Sequence, residues 1–121
     1  MKIKVCGLKY FENISEVEEA GADFVGMIFY KGSPRYVNGS LSFDEARKIK
    51  ADKVGVFVNE TSYSIFNTIA HYDLEFVQLH GDENPEDCRE LKPYVQVIKA
   101  FGINDEFNFE ILRNYERVVD Y

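Results

Sequence analysis

The chain has 121 residues, 45% of them hydrophobic and 15% aromatic, which suits one domain with a real core and excludes a disordered segment. Its formal net charge is −7, and the 14 Lys and Arg are scattered rather than gathered in a stripe, so nucleic acid is not expected as a partner. No apolar run approaches the roughly 18 residues of a membrane span, no signal-peptide core follows Met1, and Cys6 and Cys88 show neither zinc-ligand nor disulfide spacing. The expectation is a cytoplasmic protein without a membrane partner.

Short β-branched and aromatic runs at residues 3–6, 24–29, 54–58, 76–80, 95–100 and 118–121 read as six strands. Helix-like stretches lie between them. Residues 12–20 put Ile14, Val17 and Ala20 on one stripe, and residues 43–49 do the same with Phe43, Ala46 and Ile49. Residues 62–72 and 85–91 follow, the latter with Asn84 as cap and Pro85 in the first helical position. Residues 106–115, with Phe107, Ile111 and Leu112, complete the fifth helical expectation.

Strand-helix alternation with short connections predicts a parallel α/β sheet with right-handed crossovers, either doubly wound or closed into a (β/α)8 TIM barrel. Two features favour the barrel. No glycine-rich dinucleotide fingerprint follows the first strand. Reactive side chains also recur at the C-terminal ends of strands, where barrels keep their chemistry. A complete barrel needs about 200 residues or more. Residues 1–121 are therefore expected to form a single barrel domain truncated on its C-terminal side, with five βα units and the start of a sixth strand.

Side chains alternate along a strand, so Lys4 and Cys6 share a face opposite Ile3 and Val5. Cys6 is expected to point inward at the upper rim, with Gly7 allowing a sharp exit. Gln78 and His80 should look inward from the fourth strand. Asn59, grouped with Gly55 and Phe57, should join the same rim. Arg35, in the turn-rich loop after the second strand, offers a forked guanidinium to a carboxylate or phosphate. Lys4 is a candidate to favour a thiolate at Cys6, or to neutralise a carboxylate lower down.

Each of these residues also has a plainer role. A buried cysteine is more often a small hydrophobe than a base, an arginine more often a surface charge, and His80 and Gln78 could be structural. Cys88 reads as packing, and His71 as a helix-end residue without a chemical task.

The strings Lys4-Val5-Cys6-Gly7-Leu8, Ser33-Pro34-Arg35-Tyr36-Val37, Val54-Gly55-Val56-Phe57-Val58-Asn59, Val77-Gln78-Leu79-His80-Gly81-Asp82-Glu83 and Val97-Ile98-Lys99-Ala100 occur in this order. With Ala20-Gly21-Ala22-Asp23 leading into Gly26-Met27-Ile28-Phe29-Tyr30, they resemble the phosphoribosylanthranilate isomerases over the whole chain. The resemblance implies a TIM barrel performing an Amadori rearrangement of N-(5-phosphoribosyl)anthranilate in tryptophan biosynthesis. No cofactor and no metal are implied. It makes Cys6 the general base that removes the ribose C2 proton, and Arg35 the contact to the anthranilate portion. Asn59, Gln78 and His80 would line the substrate pocket.

The family's general acid, an aspartate at the end of the sixth strand, has no counterpart in these residues, since Asp120 lies near that strand's start. The phosphate site is likewise expected beyond residue 121. The 121-residue chain alone is accordingly expected to be inactive and to self-associate through open sheet edges. The principal rival is a non-catalytic open α/β binding or scaffold module, which explains the length but not the gathering of polar residues at strand ends. A related sugar-phosphate barrel enzyme would share the fold but not obviously the Lys4–Gly7 and Ser33–Tyr36 strings.

Overall fold

The computed structural model describes residues 1–121. Five strands, β1 (Lys4–Val5), β2 (Phe24–Ile28), β3 (Asp52–Phe57), β4 (Phe76–Leu79) and β5 (Gln96–Lys99), form one sheet in the order β1-β2-β3-β4-β5, every pair parallel. Between them run α1 (Phe11–Glu19), α2 (Phe43–Arg47), α3 (Ser62–Tyr72) and α4 (Pro85–Leu91). Sequential parallel neighbours joined by helical crossovers are the arrangement of a barrel wall. The sheet does not close.

Helix starts follow the sequence closely. Ser42 accepts from the Glu45 N–H while Glu45 bonds back to the Ser42 N–H, and Asn84 and Asp87 form the same reciprocal box with Pro85 inside it. Thr61 caps α3 by accepting from Ser64. Asp73 ends that helix in the left-handed region, at φ 55°.

One face of the sheet buries the apolar core. Val25 and Met27 of β2, Phe57 of β3, Val77 and Leu79 of β4 and Val97 of β5 pack on Ile14, Ala46, Ile65 and Leu91 from the helices. Cys88 is fully buried in this layer, as packing requires. The opposite face is concave, and an open cavity of about 300 Å³ on it is lined by Lys2, Lys4, Phe24, Val54, Phe76, Ile98 and Tyr121.

The curl of the sheet is visible in a single hydrogen bond. Lys4 of β1 donates to the Gln78 carboxamide of β4, although β2 and β3 lie between them. In a flat sheet those strands would sit roughly 14 Å apart, three spacings of about 4.8 Å. The two side chains meet because the sheet bends toward a barrel.

Two expectations are corrected. Residues 106–115 do not form an α-helix; Phe109–Asn114 is a 3-10 turn, capped by Asn108 accepting from Glu110 and resting on a cluster of Phe101, Phe107, Phe109 and Tyr115. Residues 118–121 do not form a sixth strand. They nonetheless run beside β5, since Tyr121 N–H donates to Val97 O at 3.2 Å and Lys99 N–H to Tyr121 O at 3.1 Å.

At the N-terminal ends of the strands, acidic side chains accept strand N–H groups. Asp23 takes Ile3 at 2.8 Å, Glu75 takes Lys53 at 2.6 Å and Asp120 takes Val97 at 2.8 Å. Asp120 is thereby fixed on the floor side, where Lys92 also reaches it at 3.2 Å.

Candidate functional site

Cys6 immediately follows β1, half-buried, with its side chain over Gly26 of β2. A Cβ at residue 26 would lie 2.8 Å from Cys6 Sγ, so the thiol occupies space that only glycine leaves open. The Gly7 and Leu8 N–H groups both donate to Gly26 O, at 3.0 and 3.1 Å, and lock the turn after Cys6 against β2. Gly7 itself has φ 85°.

Arg35 arrives from the loop after β2. Ser33 Oγ accepts the Arg35 N–H at 3.1 Å, and Val37 N–H returns to Ile28 O at 3.0 Å, so the loop folds back along its own strand. The guanidinium then lies against Gly7: a Cβ on that glycine would be 2.5 Å from Arg35 Nη1. Cys6 and Arg35, 29 positions apart in the sequence, are thus joined through one glycine.

Gln78 and His80 project from β4 and its end onto the concave side, Gln78 buried and His80 exposed. Gln78 Nε2 lies 3.4 Å from His80 Nδ1, and Lys4 donates to the other end of the same carboxamide. The Lys4 ammonium is therefore engaged with Gln78. Lys2, Lys4 and Arg35 give this side a cationic lining in a chain of net charge −7. It suits an anionic ligand.

The faces of β3 are reversed from expectation, while Asn59 still stands at the C-terminal rim. Gly55 and Phe57 face the helices: a Cβ at Gly55 would meet Leu74, Phe57 and Phe29, while Val54 faces the concave cavity. Asn59 sits beyond the strand at φ 50°, and its carboxamide oxygen accepts the Asp82 N–H at 2.7 Å. It braces the β4–α4 loop.

A buried ion pair under the rim escaped sequence reasoning. Lys99 and Glu83, with side chains 3% and 4% exposed, form an ion pair at 3.4 Å beneath the rim. Lys99 also donates to Gly81 O at 2.9 Å and Ala100 O at 2.8 Å, while Glu83 accepts from Asn59 at 2.8 Å and Gly81 at 2.8 Å. The pair ties the C-terminal ends of β3, β4 and β5 together directly behind His80. Its only signal in the sequence is a lysine inside the apolar run at 95–100, because such a charge needs a partner.

A family model described as "N-(5'phosphoribosyl)anthranilate (PRA) isomerase" matches residues 3–121. The chain belongs to the phosphoribosylanthranilate isomerase family. Relatives of that name include one from Parabacteroides distasonis, 42% identical over 125 residues, and one from Phocaeicola vulgatus, 43% identical over 122 residues. Both alignments cover 100% of this chain but only 57% and 58% of the relatives. A crystal structure of monomers generated from the dimeric enzyme of Thermotoga maritima superposes with a TM-score of 0.84 at 37% identity, covering 97% of this chain and 60% of that one. A family structure in complex with reduced 1-(o-carboxyphenylamino)-1-deoxyribulose 5-phosphate superposes with a TM-score of 0.77 at 37% identity, over 97% of this chain and 58% of the other. The open five-stranded sheet is thus a segment of the family's TIM barrel. No helix is long and apolar enough to cross a membrane.

Proposed function

We propose that this chain carries the general base and the anthranilate-facing part of an N-(5'-phosphoribosyl)anthranilate isomerase site, acting in tryptophan biosynthesis in the cytoplasm. The observation that supports it most is the junction of Cys6 and Arg35 on Gly7, at the C-terminal end of the first strands of a barrel wall. The substrate is a small molecule bearing a carboxylate and a phosphate.

The reaction is an internal redox isomerisation that needs no cofactor. Opening of the furanose ring leaves a protonated imine at C1. The Cys6 thiolate removes the C2 proton, and the C–H electron pair becomes the C1–C2 double bond while the imine electrons return to nitrogen. The resulting enolamine becomes 1-(o-carboxyphenylamino)-1-deoxyribulose 5-phosphate when a proton is returned at C1 and the C2 hydroxyl gives up its own, leaving the C2 ketone. Arg35 pairs with the anthranilate carboxylate through its planar fork. Gln78 and His80 line the pocket, and Asn59 serves it by holding the β4–α4 loop.

The acid that protonates the ring oxygen is assigned to no residue of this chain. Asp120 is bonded to Val97 and Lys92 on the floor, at the wrong end of the strands. Phosphate in such barrels is held by loops after the seventh and eighth strands, whereas this sheet has five. The five strands alone are therefore expected to be inactive. Joined to the last three βα units of the Phocaeicola vulgatus relative, the chain should rescue growth of a bacterium lacking this step of tryptophan synthesis. Rescue that survives Cys6→Ala would overturn the assignment.

A further inference from the structure

Lys4, Gln78 and His80 form a line across the concave side, from β1 to the end of β4. An ammonium has three donors and no acceptor, so Lys4 fixes which end of the Gln78 carboxamide faces it: the oxygen. The amide nitrogen must then face the other way, toward His80 Nδ1 at 3.4 Å. That nitrogen has only hydrogens to give. In a neutral imidazole, Nδ1 must receive with its lone pair, and the proton resides on Nε2.

We propose that Lys4 and Gln78 are positioning residues that hold neutral His80 in its Nε2–H tautomer, presenting a hydrogen-bond donor at the rim to an acceptor oxygen of the ligand. The ligand chemistry selected is a carboxylate, phosphate or hydroxyl oxygen. This deepens the reading of the site as an isomerase pocket and rests on it only for the ligand's identity; the tautomer belongs to the chain itself. The Lys4–Gln78 bond joins residues 74 positions apart in the sequence, and the bend of the sheet makes it possible. Gln78 is buried and His80 exposed, so the inner end is held by the fold while the outer N–H stays free for a ligand.

Nitrogen-15 and proton correlation spectra of the histidine-labelled chain at pH 8, where an ordinary imidazole is neutral, read the tautomer directly. His71 is assigned with His71→Gln. The expected result for His80 is a protonated Nε2 and a downfield, unprotonated Nδ1. Gln78→Glu replaces the donor by an acceptor and should move the proton to Nδ1, exchanging the two nitrogen shifts. Lys4→Met frees the carboxamide to turn over and should draw both shifts toward their average, and it keeps the test decisive if Gln78→Glu does not fold. In the joined enzyme, Lys4→Met should raise KM several-fold more than it lowers kcat. An Nδ1–H tautomer in the unaltered chain, or shifts unmoved by both substitutions, would overturn the relay. Lack of turnover with these shifts as expected would count against the isomerase reading alone.

Discussion

Cys6 and Gly26 share one space: the thiol of the first stands where a side chain of the second would stand, 2.8 Å from its would-be Cβ. The β1–β2 pairing and the two hydrogen bonds from Gly7 and Leu8 to Gly26 O leave the cysteine backbone little freedom to retreat. Gly26→Ala should therefore swing or displace the thiol without removing it. Crowding of this kind costs about 1–3 kcal/mol of stability. In the joined enzyme, kcat should fall at least about tenfold, since a misplaced base loses most of its worth. Circular dichroism and steady-state kinetics on one preparation check both, and unchanged kcat would show that Cys6 is not held by Gly26.

The two cysteines should differ sharply toward an alkylating reagent. Burial pushes the Cys88 thiol up to about 11, with Lys99 opposing and Asp87 and Glu83 adding to the rise. It is also fully enclosed in the core, whereas Cys6 is half-buried at the rim. The thiolate is the reactive form. Iodoacetamide at pH 8 should label Cys6 and spare Cys88, and peptide mass spectrometry reads the sites. Preferential labelling of Cys88 in the folded chain would contradict this placement.

Breaking the Lys99–Glu83 pair from one side should be costly. Removing one partner of a buried pair leaves an uncompensated charge, typically about 3–5 kcal/mol. Lys99→Met should lower the urea midpoint strongly. Lys99→Met with Glu83→Gln should recover part of the loss, because no lone charge remains and the glutamine oxygen still accepts an N–H. A double variant as unstable as the sum of the singles would show that the two residues act independently.

Asp23 and Asp120 link stability to acid. Each carboxyl is held below its ordinary 3.8, first by the backbone N–H it accepts, from Ile3 and Val97, and then by Lys2 and Lys92 respectively, against the opposing effect of burial. A group depressed in the folded state contributes stability that is full above its unfolded value and lost as pH falls through the folded one. Stability should hold above about pH 5 and fall below about pH 4. In urea melts between pH 5 and pH 2.5, Asp23→Asn with Asp120→Asn should be less stable than the unaltered chain at pH 5 and show a flatter acid limb. An unchanged acid limb would deny these carboxylates their part.

Much of this architecture was legible because local chemistry agreed with the fold. Helices Ser62–Tyr72 and Pro85–Leu91 carry their own start signals in Thr61, Asn84 and Pro85. The faces of β1 and β4 could be read because polar and apolar residues alternate there. Strand β3 gave no such contrast: Val54, Val56 and Val58 oppose Gly55 and Phe57, and both faces are apolar because both are covered. The aliphatic face, expected outward, lies inward. The 3-10 turn at Phe109–Asn114 defeated the periodicity test because Asn104 and Asn108 bond to the backbone two residues on, and aromatic side chains fill the turn. The Lys99–Glu83 pair and the Lys4–Gln78 bond join residues distant in sequence, and local pattern says nothing about such partners.

The central claim is that Cys6 is the base. The direct measurement is kcat/KM for phosphoribosylanthranilate in the chain joined to the family's last three βα units, with and without Cys6→Ala. A general base is worth roughly 10²–10⁴-fold, and a loss of that size with the fold retained is the result predicted. A Cys6→Ala enzyme within about tenfold of the unaltered one, below the least a general base supplies, would contradict it.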